Sequence, residues 1–206
     1  MKHTNTPTHR HIGTAKKRIT IFASGSGTNA EEIFKRFQYH ASIEVVLLLS
    51  NNQRAYALEL ATKFNVTTKV FTRPQFRESH DVLTWLKEKK VTHIVLAGFM
   101  WLVPDYLIKA FPGKIINIHP ALLPKFGGKG MYGMYVHDAV KAAGEKETGI
   151  TIHEVNERYD EGRVLFQATC SIDITDPPEQ IAQKVHELEY AHYPRVIEEW
   201  IVNKIN

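Results

Sequence analysis

The 206-residue chain has one cysteine, Cys170, so no internal disulfide can form and a cytosolic setting is the default reading. It has no apolar run approaching the length of a membrane-spanning helix. The N-terminal segment also lacks an apolar run, so it is not expected to act as a signal peptide. Internal repeats and low-complexity blocks are absent. Acidic residues are missing from the first 18 positions, which hold Lys2, Arg10, Lys16, Lys17 and Arg18. Those five leave 21 of the 26 basic residues to face all 22 acidic ones. The formal net charge of +4 is therefore a property of the tail. The body lacks the basic excess that nucleic-acid binding requires. Three chemical signatures are missing as well. There is no H-E-x-x-H metal pair, no G-x-S-x-G nucleophile elbow and no Walker A loop, because Gly128-Lys129 runs into Gly130.

What is present is an ordinary globular mix, 43% hydrophobic and 23% charged, which excludes a disordered protein and suits one self-sufficient core. Short β-branched runs alternate with amphipathic stretches. Strands are expected at 18–23, 43–50, 66–71, 93–97 and 114–119. Helices are expected at 29–40, 54–64 and 78–89, with a short one opened by Pro104. The run Ile43–Ser50 is almost wholly apolar, as a parallel strand covered on both faces is. This alternation predicts an α/β fold with a doubly wound, mostly parallel sheet. After an irregular glycine-rich stretch come a helix at 137–143 and an antiparallel pair at 149–155 and 163–172. A long helix at 179–201 closes the chain. Residues 1–17 are expected to be a disordered basic tail, and 18–206 a single domain.

Two stretches carry candidate chemistry. Ser24-Gly25-Ser26-Gly27-Thr28-Asn29 follows the first strand and opens a helix. Glycine allows a tight turn and close approach to a ligand, and free N–H groups at a helix start suit a phosphate. The spacing also fits a dinucleotide fingerprint, but the second strand ends in Ser50-Asn51-Asn52 without the acid that would hold a ribose. A phosphate monoester is therefore favoured over NAD. The alternative is a plain tight turn with Thr28 or Asn29 capping the helix. In Asn117-Ile118-His119-Pro120, strand alternation puts Asn117 and His119 on one face at the C-terminal edge, where open α/β sheets bind ligands. An amide donor beside an imidazole suits acyl transfer: one stabilises an oxyanion, the other moves a proton or adds charge. Local backbone satisfaction is the competing reading. Asp160, in a turn, is the candidate carboxylate to raise the imidazole's pKa. Thr151 and His153 share one face of the later strand. Eleven histidines invite a metal, but none has a ligand spacing, and His186 and His192 point to different faces of their helix. Cys170 sits in an apolar strand and is expected to be inert. The segment 97–103 is either core or the lining of a flat pocket.

Together these segments resemble the folate-dependent formyltransferase family, on its phosphoribosylglycinamide formyltransferase branch. The resemblance runs from about Arg18 to Ile201 and rests on the glycine loop, Ala97-Gly98-Phe99-Met100, Asn117 to Lys125, Thr148 to His153, and Asp160-Glu161-Gly162. It implies a Rossmann-like formyltransferase fold and 10-formyltetrahydrofolate as co-substrate, with no metal. The implied acceptor is glycinamide ribonucleotide. By position it implies Gly27, Thr28 and Asn29 as the phosphate loop and Glu189 as a contact to the glycinamide substrate. Met100, Trp101, Leu102, Val103 and Asn117 would line the folate pocket, with Arg77 near the folate tail and residues 156–159 over the pteridine. Asn117, protonated His119 and Asp160 would be catalytic, supported by Thr151 and His153. Trp101 stands where better-known members carry Arg, and the stretch Phe126–Gly133 is longer than theirs and is expected to act as a lid. Small-molecule partners, no nucleic acid, no membrane and a monomer or homodimer complete the expectation. A tRNA formyltransferase should add a basic C-terminal domain, and a formyl-folate hydrolase an N-terminal regulatory one. A non-catalytic binding module would not need Asn117, His119 and Asp160 together.

Overall fold

The computed structural model describes residues 15–202. The expected disordered tail lies outside the described residues up to position 14, and Lys17 already opens the first strand. In chain order the elements are β1 (Lys17–Phe22), α1 (Thr28–Phe37), β2 (Ile43–Ser50), α2 (Tyr56–Lys63), β3 (Thr67–Val70), α3 (Arg73–Arg77), α4 (Asp81–Glu88), β4 (His93–Leu96), α5 (Asp105–Ala110), β5 (Ile115–His119), α6 (Met134–Ala142), β6 (Glu147–Glu154), β7 (Val164–Ser171) and α7 (Pro178–Val202). One seven-stranded sheet has the order β3-β2-β1-β4-β5-β6-β7. Strands β1 to β5 are parallel, and β6 and β7 extend the sheet antiparallel. This is the expected doubly wound architecture with its C-terminal hairpin and closing helix.

Period-2 side-chain alternation explains the near-continuous apolar strands. Ile19 and Ile21 of β1, Leu48 of β2 and Ile116 and Ile118 of β5 join the core beneath α1, α2 and α7. Phe22, Leu47, Leu49 and Ile115 face the other core, under α3, α4 and α5. Both faces are therefore dry, as a parallel sheet demands. The Tyr193 hydroxyl, fully buried on α7, donates to the Leu96 carbonyl at 2.8 Å and fixes the long helix over the ends of β4 and β5.

Helix α6 starts at Met134, three residues before its expected start, and two further differences have a local cause. The first helix stops at Phe37 rather than His40, because the His40 imidazole turns back and its Nδ1 accepts from the Ser42 and Ile43 N–H groups. The single helix expected over 78–89 is preceded by a separate one. Thr72 and Gln75 form a reciprocal capping box that starts α3, and His80, at φ 59°, breaks the chain before α4.

The sheet order runs outward in opposite senses from the β1–β4 pair. That reversal leaves a crevice at the carboxyl ends of these strands, and both the glycine loop and residues 97–103 leave from it.

Candidate active site

A cleft of about 540 Å³ occupies this crevice, and its walls come from the glycine loop, the β4 exit, the end of β5, the 128–133 stretch, the 158–160 turn and α7.

At the loop, Gly27 takes φ 75° as the residue preceding α1, and its carbonyl accepts from Glu31 N–H. An added Cβ would lie 2.6 Å from the Ala57 Cα, so only glycine fits this turn against α2. No side chain caps α1, which leaves the capping alternative for Thr28 and Asn29 without support. Asn29 instead reaches across 160 residues to donate from Nδ2 to Glu189 Oε2 at 2.8 Å. Glu189 is 6% exposed, and burial pushes its carboxyl up to about 7, with the Asn29 bond acting the other way. A buried acid kept half-charged near neutrality is expensive for the fold, and such groups concentrate at functional sites.

At the β5 edge, Asn117 and His119 both line the cleft, and antiparallel pairing places His153 opposite Asn117 and Thr151 opposite His119. His153 Nδ1 sits 2.8 Å from the Glu154 carbonyl and so carries the hydrogen. Its Nε2 lies 3.1 Å from the Asn117 side-chain nitrogen. His119 Nε2 donates to the Phe126 carbonyl at 2.8 Å, while Nδ1 faces Asp160 Oδ2 at 3.6 Å. Asp160 in turn lies 3.5 Å from His153 Nε2 and accepts from Gly128 N–H at 2.9 Å. The Asp160 turn is pressed against β6 at Gly162, where a Cβ would stand 1.6 Å from the Glu154 carbonyl oxygen.

The electrostatics refine the expectation of a standing imidazolium. Burial pulls His119 below its usual range; Asp160 and the Phe126 carbonyl oppose this and do not overcome it, and His153 adds to it. For Asp160 burial acts upward, but the His153 imidazole, His119 and the Gly128 N–H outweigh it and hold the carboxyl below the usual range. The centre is thus a carboxylate favoured in its charged form beside an imidazole whose protonation burial disfavours.

The remaining expected residues separate into two groups. Met100, Trp101, Leu102 and Val103 line the cleft, and Met100 N–H donates to Ser24 Oγ at 3.3 Å. Arg77 lies outside the cleft lining, its guanidinium on the Leu102 carbonyl at 3.2 Å. Thr151 is fully buried and acts from behind: its hydroxyl donates to the Ala121 carbonyl and accepts from Leu123 N–H, pinning the chain after β5. Of the 126–133 stretch, Gly128 to Gly133 line the cleft. Sequence reasoning missed three participants. Arg73 places its guanidinium over the Trp101 ring at 5.6 Å, a position readable from the Thr72–Gln75 capping box. His137 and His186 line the cleft from α6 and α7. Cys170 is a half-buried free thiol that burial pushes up, consistent with an inert role.

Comparison with known proteins identifies the family. The chain is 39% identical over 190 residues to the chloroplastic phosphoribosylglycinamide formyltransferase of Arabidopsis thaliana, covering 88% of this chain and 64% of that protein. It is 36% identical over 188 residues to the phosphoribosylglycinamide formyltransferase of Bacillus subtilis, covering 89% and 94%. The fold superposes on the crystal structure of the Anaplasma phagocytophilum phosphoribosylglycinamide formyltransferase with a TM-score of 0.84 at 31% identity, covering 93% of this chain and 90% of that one. The sequence profile of the formyl transferases matches residues 17–197, a span that takes in the cleft with Asn117, His119 and Asp160, and the chain belongs to that family.

Proposed function

We propose that the protein transfers the formyl group of 10-formyltetrahydrofolate to the amine of 5′-phosphoribosylglycinamide, a step of purine synthesis. The observation that carries this reading is the convergence of Asn117, His119 and Asp160 in one cleft with the Gly27–Asn29 loop and Glu189. In this reading the ribose phosphate sits on the loop N–H groups. Glu189 receives polar groups of the same substrate, whose hydrogen bonds favour its charged form. The formyl folate lies along Met100 to Val103, with residues 156–159 beside its ring.

The amine nitrogen attacks the formyl carbon, and the carbonyl electrons move to oxygen. An Asn117 amide N–H stabilises that oxyanion, and His119 adds positive charge beside it once it is protonated. His119 takes up the proton the nitrogen loses, and the resulting imidazolium is held between the Phe126 carbonyl and the Asp160 anion. The carbon–N10 bond then breaks, the carbonyl re-forms, and the proton passes to N10. The products are the formylated amide and tetrahydrofolate. No covalent enzyme intermediate is needed; proximity and preorganised charge supply the rate.

The test follows absorbance of 10-formyl-5,8-dideazafolate with and without glycinamide ribonucleotide. Deformylation that needs the ribonucleotide supports the transferase. Deformylation at the same rate without any amine would replace it with a hydrolase, and a folded protein inactive under both conditions would overturn it.

A further inference from the structure

The cleft holds a pair of histidines that the reaction above does not use. His137, the fourth residue of α6, is 2% exposed, lines the cleft, and its Nδ1 has no hydrogen-bond partner among the described residues. A buried ring nitrogen without a partner costs stability and is maintained where a ligand uses the group. His186 faces the same cleft from α7, close enough for its ring to disfavour charge on His137. His186 also lies one helical turn before Glu189, and residues three apart share a helix face with about 5–6 Å between Cβ atoms. Glu189 is bonded to Asn29 of the glycine loop. The Asn29–Glu189 bond thus sets the α7 face that carries His186 beside the loop, with His137 lining the same cleft from α6. The loop itself brings no Lys or Arg, since residues 24–30 read Ser-Gly-Ser-Gly-Thr-Asn-Ala.

We propose that His186 and His137 are the charge-bearing half of the phosphate site: a dianionic phosphate seated on the loop N–H groups draws a proton onto this pair, so ribonucleotide binding consumes a proton. The inference rests on the loop being a phosphate site. Its chemistry is direct. An opposite charge within about 4–6 Å favours the protonated imidazole by about 1–3 pKa units. Without that charge burial holds both rings low, His137 at about 4 with the His186 ring as the next cause, and His186 below its usual range. The groups bearing on His137 are His119, which opposes its protonation, and Asp138, which favours it; His186 has the Tyr190 ring stacked on it and Glu189 one turn along α7. Elsewhere in the cleft lie Lys129, Asp160, His153, and Arg158 paired with Glu161. A neutral pair that charges on demand discriminates a phosphate ester from its dephosphorylated analogue, because only the former supplies the second charge.

Calorimetry at pH 7 in two buffers of different ionisation enthalpy reads this proton. The ligands are glycinamide ribonucleotide and the corresponding riboside, so any proton movement at Glu189 common to both cancels in the difference. The phosphate, with a second pKa of about 6, contributes only a small release of opposite sign. Wild type should take up between about half and one proton more with the ribonucleotide. His186→Gln, which keeps a hydrogen-bond donor but cannot charge, should lose most of that uptake and bind the ribonucleotide about tenfold more weakly, with riboside binding unchanged. His137→Gln is the second variant, each checked for folding by circular dichroism. A ribonucleotide preference with no excess proton uptake, or one undiminished in both variants, overturns the histidine assignment and leaves the loop reading standing. Equal affinity of wild type for the two ligands overturns the loop reading itself.

Discussion

Replacing Glu189 by Gln separates what this residue costs the fold from what it does for the substrate. The native carboxyl is raised by burial from 4.5 to about 7. Between those values the folded protein keeps a proton that the unfolded chain has lost, so wild-type stability falls as pH rises. Above pH 7 the penalty reaches about 3 kcal/mol. Most of the window is open to experiment: from pH 5.5 to pH 8 about 2 kcal/mol of it is incurred. The glutamine side chain has nearly the same shape, can still accept from Asn29 Nδ2, and does not titrate. Relative to wild type it should therefore gain about 2 kcal/mol over that pH interval. With a urea slope of about 2 kcal/mol per molar, the difference between the two unfolding midpoints should move by about 1 M. Over the same interval ribonucleotide binding should weaken in the variant, since the charged acceptor is gone. A midpoint difference that does not change between pH 5.5 and pH 8 would refute the buried, raised carboxyl, and a gain in stability with full substrate affinity would refute its role in the site.

Other substitutions test separate links. Asp160→Asn keeps an acceptor for the Gly128 N–H but removes the charge 3.6 Å from His119; at an effective dielectric of about 20 that charge is worth at most about 4–5 kcal/mol, so kcat should fall about 100- to 1,000-fold with KM little changed, and a loss under tenfold would contradict its part in holding the imidazolium. Gly27→Ala forces a side chain into φ 75° and onto Ala57; thermal unfolding should show a loss of at least about 2 kcal/mol, together with loss of ribonucleotide binding. His93, packed edge-on against Trp200, is held at about 4 by burial and then by Lys114 and Lys17. The unfolded chain binds its proton first as pH drops, so stability should fall from pH 6.5 towards pH 4 by about 2 kcal/mol after allowance for partial exposure. His93→Gln should flatten that part of the acid-unfolding curve, and an unchanged curve would place the sensitivity elsewhere.

Local periodicity and local chemistry made much of this protein readable. Ile43–Ser50 is apolar on both faces because it lies between two cores, and that alone signals a parallel strand. Asn117 and His119 share a face because a strand alternates, and Pro120 marks its end. The glycine loop is legible because strand, turn and helix start are contiguous. What stayed hidden depends on long-range closure. Nothing near Asn29 in the sequence announces Glu189, and the two meet only because α7 crosses α1. The Phe126 carbonyl holds His119 through backbone, which carries no side-chain signal. The neutral bias of His119 follows from burial, a property of the whole fold, whereas the sequence suggested only its carboxylate partner. His137 read as an ordinary helix residue because its importance lies in a missing partner. Helix α3 was within reach, since Thr72 and Gln75 have capping-box spacing.

The central claim is that the formyl carbon moves directly to the substrate amine under the control of Asn117, His119 and Asp160. The most direct measurement uses folate carrying ¹³C in the formyl group, mixed with excess enzyme and glycinamide ribonucleotide, with the label followed by NMR. Wild type should place the label on the glycinamide nitrogen in a single turnover, and a folded His119→Ala protein should do so at least about 100-fold more slowly. Label recovered as free formate whether or not the ribonucleotide is present, or transfer that His119→Ala leaves undiminished, would contradict the account.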